Sequence, residues 1–286
     1  MPNILSTICI VLIASIGASA AIIGAIHWSR NRRFSSKTFV AVFATLFITE
    51  VVNVVNNLPL IASQAKTSQP FALQVGIALT GSLVLGLFIS LGLSLIAGLV
   101  ASGFGTWGQT PRPLVPGVSI GLLFAGIGAL GNRLVTPLSP TWGSLGPLSS
   151  IVPLLGTALA PIVGYFSQTL ILLAVIYALA HWQRGSWIWI GVGLALAGAP
   201  GIDTLLSWLI VGATLGVLLL LAYLLVFRQQ PALMLITTGT VAILSTLRDG
   251  LQRPHPAALP GAVLGSVLIA VAAAVWYKSY RRDAHN

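Results

Sequence analysis

Apolar runs of about twenty residues follow one another along the chain, broken by short segments rich in Gly, Pro or basic residues. A run of that length crosses the hydrocarbon core as a helix, rising about 1.5 Å per residue. Single spans are predicted at about residues 4–27, 38–60, 118–134, 187–200, 204–227, 231–247 and 261–277. Two runs are longer than one perpendicular span needs. Residues 71–104, punctuated by Gly81, Gly86, Gly92, Gly98 and Gly103, read as one long tilted helix. Residues 151–180 hold Pro153 and Pro161, and read as a short interfacial or re-entrant piece leading into one span at about 161–180. The expectation is an all-α, polytopic integral membrane helix bundle. It has about nine transmembrane helices in a single transmembrane domain, residues 1–286.

Charge then orients the bundle. With nine spans, Arg30, Arg32, Arg33, Lys37, Arg112, Arg184, Arg228, Lys278, Arg281 and Arg282 fall on one side. Lys66, Arg248 and Arg253 fall on the other, with Arg133 near that boundary. Basic loops stay in the cytoplasm, so the N-terminus is expected outside and the C-terminus inside a bacterial cytoplasmic (inner) membrane. A missed or extra span would scramble so lopsided an alternation. Trp28, Trp107, Trp182, Trp187 and Trp276 fall near the cytoplasmic boundary, and Trp142 and Trp208 near the outer one, as interfacial belts require.

Composition agrees with the pattern. The chain is 56% hydrophobic and 6% charged, where soluble domains carry roughly 25% charged residues. The net charge of +10 would point to nucleic acid in a soluble protein. Here the charges gather at span ends, so no nucleic-acid partner is expected and the lipid bilayer is the environment. Cys9 is alone, which leaves no disulfide framework, zinc spacing or redox pair. Ala18-Ser-Ala20 resembles a cleavage site, but no basic residue precedes the apolar run, which continues to Trp28. It reads as a retained first span.

The second span carries the one acidic island. Glu50 is followed by Asn53, Asn56 and Asn57 within an apolar stretch, and no other carboxylate precedes Asp203. On a helix, positions 50, 53 and 57 share a face, which should turn towards other helices or a polar cavity rather than lipid. Glu50 lies in the outer third of the bilayer, on the side assigned to Arg133. A Glu50–Arg133 pair is expected if the second and fourth spans are neighbours, giving a polar intramembrane cluster of Glu50, Asn53, Asn57 and Arg133. Two readings stay open: a packing cluster that pins helices or satisfies a neighbouring loop, and a site for proton or small-solute transport.

Other chemistry finds little support. A His-Glu-x-x-His zinc site is absent, no metal site is expected, and Asp203 and Asp249 sit near span ends without the Gly-x-Gly-Asp context of a two-aspartate protease. His27, His181, His255 and His285 all lie at span ends or in loops. His27 and His181, each followed by Trp, are candidate ligands for a haem or chlorophyll-type pigment, because a neutral imidazole nitrogen binds such metals. Interfacial His-Trp pairs also serve as plain anchors.

Two stretches resemble a known family. Asn56-Asn-Leu-Pro-Leu-Ile-Ala-Ser-Gln-Ala-Lys-Thr-Ser-Gln-Pro-Phe-Ala-Leu-Gln74 resembles a span-loop-span junction in long bacterial CPBP (CAAX-protease-like) intramembrane proteases. Leu221-Ala-Tyr-Leu-Leu-Val-Phe-Arg228 and Arg253-Pro-His-Pro-Ala-Ala-Leu-Pro-Gly-Ala262 resemble another non-catalytic part of those proteins. The resemblance implies a Glu-Glu-x-x-x-Arg motif with later histidine motifs, and this chain has neither. Glu50 is its only Glu, followed by Val51, with Val54 where the Arg would stand. No catalytic residue carries over.

The function expected from the sequence is therefore non-catalytic: an accessory, scaffold or assembly subunit holding other membrane subunits or lipids. A respiratory or photosynthetic complex would be a natural host, with lipid, quinone or chlorophyll-type pigment bound. The alternatives are a transporter using Glu50 and a CPBP-like relative without activity.

Overall fold

The computed structural model describes residues 34–65, 70–103, 114–134, 149–181, 185, 187–197 and 205–283, with scattered helical positions between residues 8 and 26. Among these residues there are helices and no strands. In order they are α1 (Ser36–Asn56), α2 (Leu58–Ser63), α3 (Phe71–Gly103), α4 (Leu114–Leu134), α5 (Pro153–His181), α6 (Ile188–Leu196), α7 (Leu205–Ala222), α8 (Leu233–Gln252) and α9 (Ala258–Asp283). The end of α7 continues as a π-helical turn, Tyr223–Phe227. Among the described residues, five helices are long and apolar enough to cross a membrane: α1, α3, α5, α7 with its π turn, and α9. That length and composition make a multi-pass membrane protein.

The sequence reading of 71–104 as one helix holds, since α3 is continuous over 33 residues. At about 1.5 Å per residue it is longer than a hydrocarbon core is thick, so it must tilt or protrude. The reading of 151–180 is corrected. α5 runs unbroken from Pro153 through Pro161. Proline is well placed in the first turn, where no N–H is needed. At Pro161 only one backbone bond, to the carbonyl of Thr157, is forgone, and the packed neighbours of α5 hold the helix in register. The second span also ends earlier than expected. Asn57 caps α1 with its N–H on the Asn53 carbonyl, and α2 restarts with Pro59 in its first turn. Proline cannot continue the ladder of α1 but readily begins a new one.

α5 is the best-enclosed of the five long apolar helices, and α1 the least. Around α5 stand α9, α8, α3 and α1. α8 lies between α4, α5 and α9, and hydroxyls tie it in place. Thr169 and Thr238 share a hydrogen bond of 2.7 Å, Tyr165 donates to the Leu235 carbonyl at 3.3 Å, and Thr237 donates to the Gly117 carbonyl at 3.1 Å. Close helix approach rests on small residues, as membrane bundles require. A Cβ on Gly216 would sit 2.7 Å from the Cα of Ile190, and one on Gly261 would sit 2.6 Å from the Cβ of Thr157.

The described helix in the expected 187–200 span is only nine residues long. Trp208, expected near the outer boundary, packs inside the structure. It is buried, and its indole N–H donates to the Leu194 carbonyl at 2.8 Å between α6 and α7. Trp187, by contrast, is exposed as a belt residue would be.

Candidate functional site

The helices of the bundle bring one set of ends together. The C-terminus of α1 meets the start of α5, where the Ile151 N–H donates to the Asn56 carbonyl at 2.8 Å. The end of α8 and the start of α9 pack there too, through Gly250 against Ala262 and Gly261 against Thr157. Two polar features occupy this end.

The first is the asparagine cluster of α1. Asn56 is buried, 5% exposed, and makes a two-way bond with the backbone ahead of α5. Its Oδ1 accepts from the Val152 N–H at 2.8 Å, and its Nδ2 donates to the Val152 carbonyl at 3.1 Å. Only an amide side chain can both accept and donate in this way. Asn53 and Asn57 are half-buried and meet each other at 3.5 Å, Nδ2 of Asn57 towards Oδ1 of Asn53, the outer limit of a hydrogen bond. The residue that fixes the loop is therefore Asn56, which the 50/53/57 face did not include. Its signal in the sequence was weak, because a helical face cannot reveal which asparagine meets a distant loop.

Glu50 points elsewhere. Its aliphatic stem lies on α3, where a Cβ at Gly86 would stand 3.0 Å from the Glu50 Cγ. It is half-buried, and among the described residues no side chain bonds or ion-pairs with it. The expected pairing with Arg133 requires α1 and α4 to be neighbours. α1 instead packs mainly on α3 and α5, and α4 mainly on α8, while the Arg133 side chain lies outside the described residues. The His27 and His181 side chains, the candidate pigment ligands, also lie outside them.

The second feature is a cleft of about 250 Å³ between α5, α8 and α9. Gln168 and Tyr165 contribute from α5, Ser245, Thr246 and Asp249 from α8, and Arg253 from the turn that follows. Pro161 and Gly164 also line it. Asp249 is paired with Arg248 through Oδ1 at 3.1 Å, at a partly exposed position. His255, in the same turn, is buried with neither ring nitrogen bonded. Sequence reasoning missed this cleft, since Gln168 is far in the chain from Ser245 and Arg253 and only the helix crossing joins them. Among the described residues, no three His, Cys, Asp or Glu side chains converge as a metal site requires.

No family model matches the chain, and no curated protein or solved structure does either.

Proposed function

We propose that the chain is a non-catalytic, multi-pass membrane protein that serves as an accessory or scaffold subunit of a larger membrane complex. The observation that carries this reading is Glu50. It lies on the flank of the bundle, about 9 Å from the end of α1 at 1.5 Å per residue, without a partner among the described residues. A carboxylate at that depth is costly unless a counter-charge or proton donor meets it. A neighbouring subunit can supply either. Four interior polar groups fit the same reading, because Asn56, Thr169, Thr237 and Thr238 are all engaged in joining elements of this chain. They stabilise a frame and leave the flank for assembly.

The reading includes about nine spans in a bacterial inner membrane, with the N-terminus outside and the C-terminus in the cytoplasm. The test is co-purification after mild detergent extraction. A partner is expected in fixed stoichiometry with the wild-type chain, and Glu50→Gln should lower its recovery several-fold while leaving expression and helix content unchanged. Unchanged recovery in Glu50→Gln removes Glu50 as the contact. Loss of solute flux in Glu50→Gln vesicles, with no partner recovered from wild type, would favour transport instead.

A further inference from the structure

The cleft between α5, α8 and α9 holds polar groups that the helix bundle does not use, and their donor and acceptor character defines a ligand. The hydroxyls in it are already spent as donors. Ser245 and Thr246 both donate to the Ala242 carbonyl, at 3.0 and 2.7 Å, and Thr157 donates to the Pro153 carbonyl. What they offer the cleft is lone pairs. Pro161 has no N–H, so the Thr157 carbonyl loses its regular helical donor and adds another acceptor. The Oδ2 of Asp249 is free of the Arg248 contact, which is made through Oδ1. The donors are fewer: the guanidinium of Arg253 and the amide of Gln168, neither bonded to a described side chain.

An acceptor-rich wall with a carboxylate, beside a guanidinium, suits a ligand carrying an ammonium with several N–H groups and an oxyanion. The volume is below the usual range of about 300–1,000 Å³ for small-molecule pockets, so a compact group fits and a large ligand does not. The cleft also opens sideways. On α5, Ala160, Gly164 and Gln168 form an exposed strip on a helix long enough to span the membrane, and nothing stands within 4 Å of a Cβ built on Gly164. A lipid can enter along that strip with its acyl chains left in the bilayer.

We infer that this cleft binds the headgroup of an aminophospholipid, with its primary ammonium on Asp249 and the Ser245/Thr246 oxygens and its phosphate on Arg253. Gln168 meets the ester region below. The inference is independent of the subunit role, because it concerns a different face of the bundle from Glu50.

The test uses the purified full-length chain, stripped of lipid and offered equal amounts of ethanolamine-, choline- and glycerol-headgroup phospholipids, with retained lipid read by native mass spectrometry. Ethanolamine lipid should be retained about tenfold over choline lipid, the effect of one charge-assisted hydrogen bond that a quaternary ammonium cannot make. Asp249→Asn should erase that preference, and Arg253→Gln should lower retention of all three. Gly164→Leu, which fills the cleft without touching a charge, should do the same as Arg253→Gln. Lys278→Gln, at the opposite end of α9, should change nothing. Equal retention of ethanolamine and choline lipids by the wild type overturns the inference, as does retention unchanged in Asp249→Asn and Gly164→Leu. Displacement of the lipid by free phosphoethanolamine at similar concentration would assign the cleft to a soluble zwitterion and overturn the lipid reading.

Discussion

At the scale of single residues, the chain distinguishes polar groups that hold it together from others, Glu50 among them, that do not. Asn56 belongs to the first kind. Removing its side chain strands the Val152 N–H, next to a helix start, while the Val152 carbonyl keeps the Leu155 and Gly156 N–H groups, and one stranded donor costs about 1–3 kcal/mol. Asn56→Ala should therefore lower the unfolding stability by about that amount in detergent, measured by thermal or denaturant unfolding. Asn53→Ala should fall within about 0.5 kcal/mol of wild type, since its contact is long and half-exposed. Equal effects of the two would contradict the assignment. The neighbouring Thr169–Thr238 bond is worth less, because interhelical bonds in membranes average about 0.6 kcal/mol. The sequence placed Asn53 and Asn57 beside Glu50 by helical geometry, and that geometry is sound. What it could not carry was the long-range partner, a loop backbone almost a hundred positions away.

At the scale of elements, the apolar runs marked most of the helices well, and proline misled that reading in opposite ways. α1 ends at Asn56, three residues before Pro59, whose ring supplies no N–H to continue that ladder but fits the first turn of α2. Pro161 ends nothing, because α5 is held on several sides by other helices. Burial decided between these outcomes, and a sequence does not show burial directly. α8 illustrates the same limit. It was legible as a span, yet its Thr and Ser residues, with Arg248 and Asp249 near its end, leave it outside the five long apolar helices, and the buried Thr residues are explained only by its position among α4, α5 and α9. Element direction also yields a prediction. The ends of α1 and α8 and the starts of α5 and α9 lie together, so Ser63 and Gln252 should face one side and Gln229 the other. In a Cys9→Ser background, single cysteines at 63 and 252 should react with an impermeant thiol reagent from outside whole cells. One at 229 should react only after the membrane is opened. The reverse pattern would invert the orientation drawn from the basic loops.

At the scale of the whole molecule, a tightly tied interior is combined with a flank whose carboxylate has no partner among the described residues. α5 and α8 are joined by hydroxyl bonds and small-residue contacts, whereas α1 is the least enclosed of the long apolar helices and bears Glu50. Such a distribution suits a subunit whose own fold is complete and whose edge is finished by another chain. The cleft on the far side, with Asp249 and Arg253 at its rim, gives the same frame a place for lipid. The direct measurement is native mass spectrometry of the complex released from membranes in mild detergent. The subunit reading predicts one dominant assembly whose mass exceeds the 29.8 kDa chain by a constant protein increment, and several-fold less of it in Glu50→Gln. A spectrum holding only the 29.8 kDa chain and its lipids, at every detergent concentration, would contradict it.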